Sequence, residues 1–128
     1  MQFTITTVLS LLTASVAASP LQTREANQVT FALSNDQSGA YASVNFHADG
    51  TDQYLSSLFA GTSVAADGHV LASSAQLTAF PQTVVCTLKN NGVTIDTLTA
   101  QHTYVDLDAY AGSAYPINLD GGVINCWA

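Results

Sequence analysis

Positive charge is almost missing from this chain: Arg24 and Lys89 are its only Lys or Arg, set against nine acids for a formal net charge of −7. Phosphate recognition needs clustered cations, so nucleic acid is excluded as a partner, and anionic membrane surfaces are excluded for the same reason. Beyond the N-terminal segment no apolar run approaches the roughly 20 residues that cross a bilayer, so membrane insertion is not expected. Catalytic motifs are missing too. There is no Gly-x-Ser-x-Gly elbow and no phosphate-cradling Gly-rich loop. His47, His69 and His102 are too far apart to form a His-x-x-His or His-x-x-x-His pair, so a structural role is expected for each. No His begins a plausible mature chain, which excludes an amino-terminal copper brace. No cofactor is expected.

What is present starts with an apolar run over residues 8–18, closed by Val16-Ala17-Ala18-Ser19. It reads as a secretory signal peptide, 1–18, whose n-region Met1-Gln2-Phe3-Thr4 relies on the α-amino group for positive charge. Residues 19–27 are polar and aperiodic, a flexible lead-in or short propeptide, and 28–128 form one domain. The expected localisation is secreted, extracellular. An oxidising destination makes a disulfide of Cys86 and Cys126, the only cysteines. Such a bond closes a loop of about 41 residues, for which the loop-entropy model gives about 4 kcal/mol. A domain this small buries only about 60–70% of its unfolded surface, so a crosslink of that size matters.

Period-two alternation runs through most of the domain, and no helical stripe competes with it. Val29, Phe31 and Leu33 alternate with polar or small residues, and Ala42, Val44 and Phe46 do the same beyond a turn at 35–39, which predicts a first hairpin. Residues 52–59 fit a short helical turn as well as a strand and are read as an irregular edge segment. Ala66-Asp67-Gly68 between 62–65 and 69–72 predicts a second hairpin. Strands are further predicted over 75–80, 83–89, 93–98, 102–107, 115–119 and 123–127, with a loop over 108–113. Asn90-Asn91-Gly92 makes the tightest turn, because Asn-Gly supplies the positive φ that a two-residue hairpin needs. The fold class is therefore all-β: one antiparallel β-sandwich or β-barrel of about eight or nine short strands with one disulfide. Cys126 and the single Trp lie in the final strand, so that strand must be pinned into a sheet.

Eight of the nine acids are Asp, and Asp36-Gln37-Ser38-Gly39, Asp49-Gly50, Asp67-Gly68 and Asp120-Gly121 are turn sequences, where a short carboxylate bonds nearby backbone. Asp106 and Asp108 are different. Two apart on a strand, they share a face beside Tyr104, Tyr110 and Tyr115, the arrangement of a paired-carboxylate glycosidase or of a calcium site with hard oxygen ligands. Both readings rest on one Asp pair with no cleft to place it in, and a non-enzymatic protein is expected. Exposed aromatics such as Tyr41, Tyr54, Tyr104, Tyr110 and Tyr115 are the candidate binding anchors.

The run Val29-Thr30-Phe31-Ala32-Leu33-Ser34-Asn35-Asp36-Gln37-Ser38-Gly39-Ala40 resembles the opening of the mature domain in a group of small secreted fungal proteins. That group includes hypersensitive-response-inducing elicitors of plant-pathogenic fungi. Further similar stretches are Ser73-Ser74-Ala75-Gln76-Leu77-Thr78-Ala79-Phe80, Tyr104-Val105-Asp106-Leu107-Asp108 and Pro116-Ile117-Asn118-Leu119. The resemblance spans nearly the whole mature chain and carries over no catalytic residue. It implies a secreted effector that triggers plant cell death and an oxidative burst by non-catalytic recognition, its partner a plant cell-surface or apoplastic component. The alternative is an extracellular wall module binding glycan or calcium without an elicitor role.

Overall fold

The computed structural model describes residues 27–108 and 115–128. The predicted signal peptide, all but the last residue of the predicted lead-in, and Tyr110 lie outside the described residues. Alternation becomes strand pairing from the first element onward. β1 (Gln28–Asn35) sends Val29, Phe31 and Leu33 into the interior and pairs along its whole length with β2 (Ala40–His47). The turn between them is built on Asn35: its Oδ1 accepts the Gln37 and Ser38 N–H groups at 3.1 and 3.2 Å, and Gly39 closes the turn at φ 81°. β3 (Asp49–Tyr54) then opens a second sheet and runs into a one-turn helix, α1 (Leu55–Leu58). Residues 52–59 are thus divided between strand and helix, because Leu55 and Phe59 must both reach the core over five residues, a spacing that suits a helical turn.

The second predicted hairpin does not form. Residues 63–65 curl into a 3₁₀ turn within consecutive reversals, Thr62 N–H to Phe59 O, Ala65 N–H to Thr62 O and Gly68 N–H to Ala65 O. Val64 is the large apolar side chain in that stretch, and a tight turn is enough to bury it. The following strand, β4 (Leu71–Ala72), pairs instead with β9 (Ile117–Asn118). Between them lie β5 (Ser74–Ala79), β6 (Val85–Asn90), β7 (Val93–Thr99) and β8 (Tyr104–Asp106); β10 (Gly122–Trp127) ends the chain. Asn91 and Gly92 both have positive φ, 53° and 82°, the geometry predicted for the β6–β7 turn. The described residues form ten strands, close to the eight or nine expected, and several are shorter than their alternation suggested.

Among the described residues every strand pairing is antiparallel, in two four-stranded sheets ordered β2-β1-β5-β8 and β3-β10-β6-β7, with the β4–β9 pair beside them. Both large sheets are open, and their inner faces meet in one core, so the architecture is a sandwich. Phe31 of the first sheet meets Phe59, next to α1, edge to face at a centroid separation of 6.2 Å. Leu88, Leu98, Ile124, Cys86 and Cys126 fill the second sheet's side. Cys86 and Cys126 are direct register partners on β6 and β10 and form the disulfide, with Cα atoms 4.0 Å apart.

β10 starts where no side chain fits. A Cβ on Gly122 would lie 2.6 Å from Leu55 Cδ1 and 2.9 Å from the Leu119 carbonyl oxygen. Leucine can shift but the backbone oxygen is fixed by the turn it belongs to, in which Gly122 N–H donates to Leu119 O at 2.8 Å. Gly122→Ala is therefore expected to cost about 1–3 kcal/mol, the usual range for overpacking. Urea unfolding checks this, and an unchanged midpoint would contradict the tight approach.

Candidate functional site

The residues singled out in the sequence do not converge. Tyr41 on β2 and Tyr104 on β8 are exposed on the outer face of the first sheet, but β1 and β5 run between them, which separates their strands by about 14 Å at the usual interstrand spacing. Tyr115 is exposed before β9, and Tyr54 lies on β3 in the other sheet. Asp106 and Asp108 are adjacent, but Asp106 Oδ1 accepts the Asp108 N–H at 3.1 Å, so one carboxylate of the pair builds a turn. Burial, followed by the charges of Asp106 and Asp36, holds the Asp108 carboxyl above its usual range. Among the described residues no three His, Cys, Asp or Glu side chains form a group that could hold a metal ion.

Several other Asp residues make tertiary contacts where turn chemistry was expected. Asn35 and Asn118, not Asp36 and Asp120, accept the backbone N–H groups of their turns. Asp36 accepts from Ser73 Oγ at 3.1 Å across the sheet edge. Asp49 does keep the expected local role, its Oδ1 accepting the Thr51 N–H at 3.0 Å, within a bulge of β3 opposite β10 where Gly50 has φ 85°.

Asp120 ties the β9–β10 turn to the approach to β4. Its Oδ1 accepts the Val70 N–H at 2.8 Å and its Oδ2 lies 2.6 Å from His69 Nδ1, beside a cleft of about 280 Å³ that includes Ser63, Asp67 and Pro116. The hydrogen bond to Asp120, then its charge, raises His69 above the ordinary 6.5, and the bond to His69 draws Asp120 below 3.8. The imidazolium contribution is complete below pH 6.5 and fades as pH rises through the raised His69 value. The carboxylate contribution is present above pH 3.8 and fades as pH falls through the lowered Asp120 value. The pair therefore holds from mildly acidic pH to somewhat above 6.5. An NMR titration should place the His69 midpoint above 6.5 and return it toward that value in Asp120→Asn. A wild-type midpoint at or below 6.5 would contradict the pairing.

A different surface brings binding-type side chains together: the outer face of the β3-β10-β6-β7 sheet. Inward burial of Ile124 and Cys126 on β10 sends Val123, Asn125 and Trp127 outward, and inward Cys86 and Leu88 on β6 send Val85, Thr87 and Lys89 outward. Strand register then aligns three rows: Tyr54 with Val123 and Lys89, Asp52 with Asn125 and Thr87, and Trp127 with Val85. Trp127 is 63% exposed and Tyr54 58%. Between these aromatics is a cleft of about 230 Å³ lined by Asp52, Thr87, Lys89, Gly92, Val123 and Asn125. Asn125 Nδ2 donates to Gly50 O at 2.7 Å and to Asp52 Oδ1 at 2.8 Å, which fixes the amide.

Sequence reasoning found Tyr54 in this set and missed Trp127, Lys89 and Asn125. A signal was available. Once Cys126 is committed to a buried disulfide, alternation puts Trp127 and Asn125 on the opposite face.

Comparison with protein-family models, curated proteins and solved structures finds no match to this chain.

Proposed function

We propose that this protein is a secreted effector of the elicitor type, which triggers plant defence by being recognised, without catalysis, through the outer face of the β3-β10-β6-β7 sheet. One observation carries the reading: exposed Trp127, Tyr54 and Val85 share one face of a hydrogen-bonded sheet with a cleft that carries Asp52, Thr87, Lys89 and Asn125. Trp and Tyr give large contact area at small entropy cost and dominate recognition hot spots. An export-type N-terminus, a disulfide and a shortage of cations fit an extracellular protein that acts by surface contact. No helix among the described residues is long and apolar enough to cross a membrane.

The test is infiltration of purified protein into leaves of several plant species, beside a Trp127→Ala variant of matched thermal midpoint, scoring cell death and the oxidative burst. The folded wild type is expected to give both responses and Trp127→Ala to reduce them several-fold. No response in any species would remove the effector reading.

A further inference from the structure

We infer that the outer face of the β3-β10-β6-β7 sheet binds a neutral, extended β-linked glycan chain, with Tyr54 and Trp127 as stacking platforms and the cleft between them as the hydrogen-bonding floor. This rests on the reading that recognition takes place on that face. Three features of the face select the ligand class.

The first is the spacing. Tyr54 is the register partner of Val123, and Trp127 lies four residues further along β10, so their backbone positions stand about 14 Å apart at about 3.4 Å per residue. That length suits several sugar rings in a row and exceeds a single one. β-linked pyranoses with equatorial substituents present flat C–H faces that stack on aromatic rings, while their hydroxyls project at the edges. A protein partner would instead favour a continuous apolar centre, and here Asp52, Thr87, Lys89 and Asn125 interrupt the apolar surface between the aromatics.

The second is charge. The cleft holds both Lys89 and Asp52, together with the Thr87 hydroxyl and the Asn125 amide. The ion pairs among the described residues are the two His–Asp contacts, so the Lys89 ammonium is left to donate. Both Asn125 N–H bonds are committed to Gly50 and Asp52, which leaves Asn125 Oδ1 as an acceptor in a fixed orientation. Donors and acceptors of mixed sign match hydroxyl groups, which are both at once. A polyanionic glycan would meet a protein of net charge −7, with Asp49 and Asp52 on this same sheet.

The third is rigidity. The Cys86–Cys126 bond lies on the inner side of the sheet, in the register row between Asn125–Thr87 and Trp127–Val85. It locks β6 to β10 directly beneath the surface that carries the platforms. A surface held in shape before binding loses little entropy on binding.

Trp127 is the only Trp in the chain, so its fluorescence reports this face alone. The experiment titrates laminarihexaose, cellohexaose and chitohexaose, with an oligogalacturonide as the anionic comparison, against the intact protein while following Trp emission and its quenching by iodide. At least one neutral oligosaccharide is expected to give a saturable emission shift and to protect Trp127 from iodide. Tyr54→Ala and Lys89→Ala should each weaken that binding by about tenfold, in line with loss of a hot-spot side chain. Tyr41→Ala, on the other sheet, should leave it unchanged. Trp127→Ala is read by calorimetry and should abolish measurable binding with the thermal midpoint retained. Failure of every neutral oligosaccharide to bind at millimolar concentration, tighter binding of the anionic chain, or full binding by Trp127→Ala would each overturn the assignment. A leaf response that disappears in Trp127→Ala while no neutral glycan binds overturns the glycan assignment and leaves the effector reading. Glycan binding without a leaf response supports the assignment and removes the effector reading.

Discussion

A chain that ends at Gly122 is expected not to fold. The residues it loses form nearly all of β10, an interior strand of its sheet, paired on one side with β3 and on the other with β6. Their removal opens two unpaired strand edges, takes Ile124 and Cys126 out of the core, and eliminates the crosslink. Burial of Ile124 contributes about 1.5–3 kcal/mol and the crosslink about 4 kcal/mol, before any ladder hydrogen bond is counted. A small domain has only about 5–15 kcal/mol of net stability, so the remainder cannot sustain the fold. The truncated chain should have a flat near-UV circular dichroism spectrum and no cooperative thermal transition. A spectrum and midpoint equal to the wild type would mean that β10 does not occupy the interior of the sheet.

Removing the crosslink while keeping the strand is expected to cost about 4 kcal/mol, the loop-entropy value for a closed loop of about 41 residues. The partners are already nearest neighbours in the β6–β10 ladder, with Cα atoms 4.0 Å apart, so the folded protein gains little proximity from the bond. Its effect falls on the unfolded chain, which it deprives of conformations. The double variant Cys86→Ala, Cys126→Ala avoids burying hydroxyls without partners, a cost that serine would add. Its thermal midpoint should fall by roughly 15–30 °C for a domain of this size. Reduced wild type should melt close to the double variant, and a loss under about 1 kcal/mol would contradict the unfolded-chain account. A cooperative transition in the double variant, beside none in the truncated chain, would show that the strand sustains the fold without the crosslink.

The readable parts of the fold were those where a local pattern has one solution. Val29, Phe31 and Leu33 can be buried together only if residues 28–35 are extended, and Asn91-Gly92 can reverse the chain only as a tight turn. Residues 62–72 misled for the opposite reason. Asp67-Gly68 does turn the chain, but whether the flanking segments pair with each other depends on what else is within reach. β4 found Ile117–Asn118, about 45 positions away, and Asp120 holds that arrangement through Val70 and His69. Asp120 misled in the same way, because a carboxylate beside a glycine suits its own turn, as at Asp49, or a distant N–H equally well.

Composition and alternation by themselves determined that this is an acidic all-β domain, because charge follows from residue type and strands from the spacing of apolar residues; the pairing of the two cysteines was read from the export-type N-terminus. Tertiary structure alone decided the pairing of β10 between β3 and β6 and, with it, the surface where Tyr54, Lys89, Asn125 and Trp127 meet. Residues about 35 positions or more apart become neighbours only through strand register, and register is set by how two whole faces bury their side chains together.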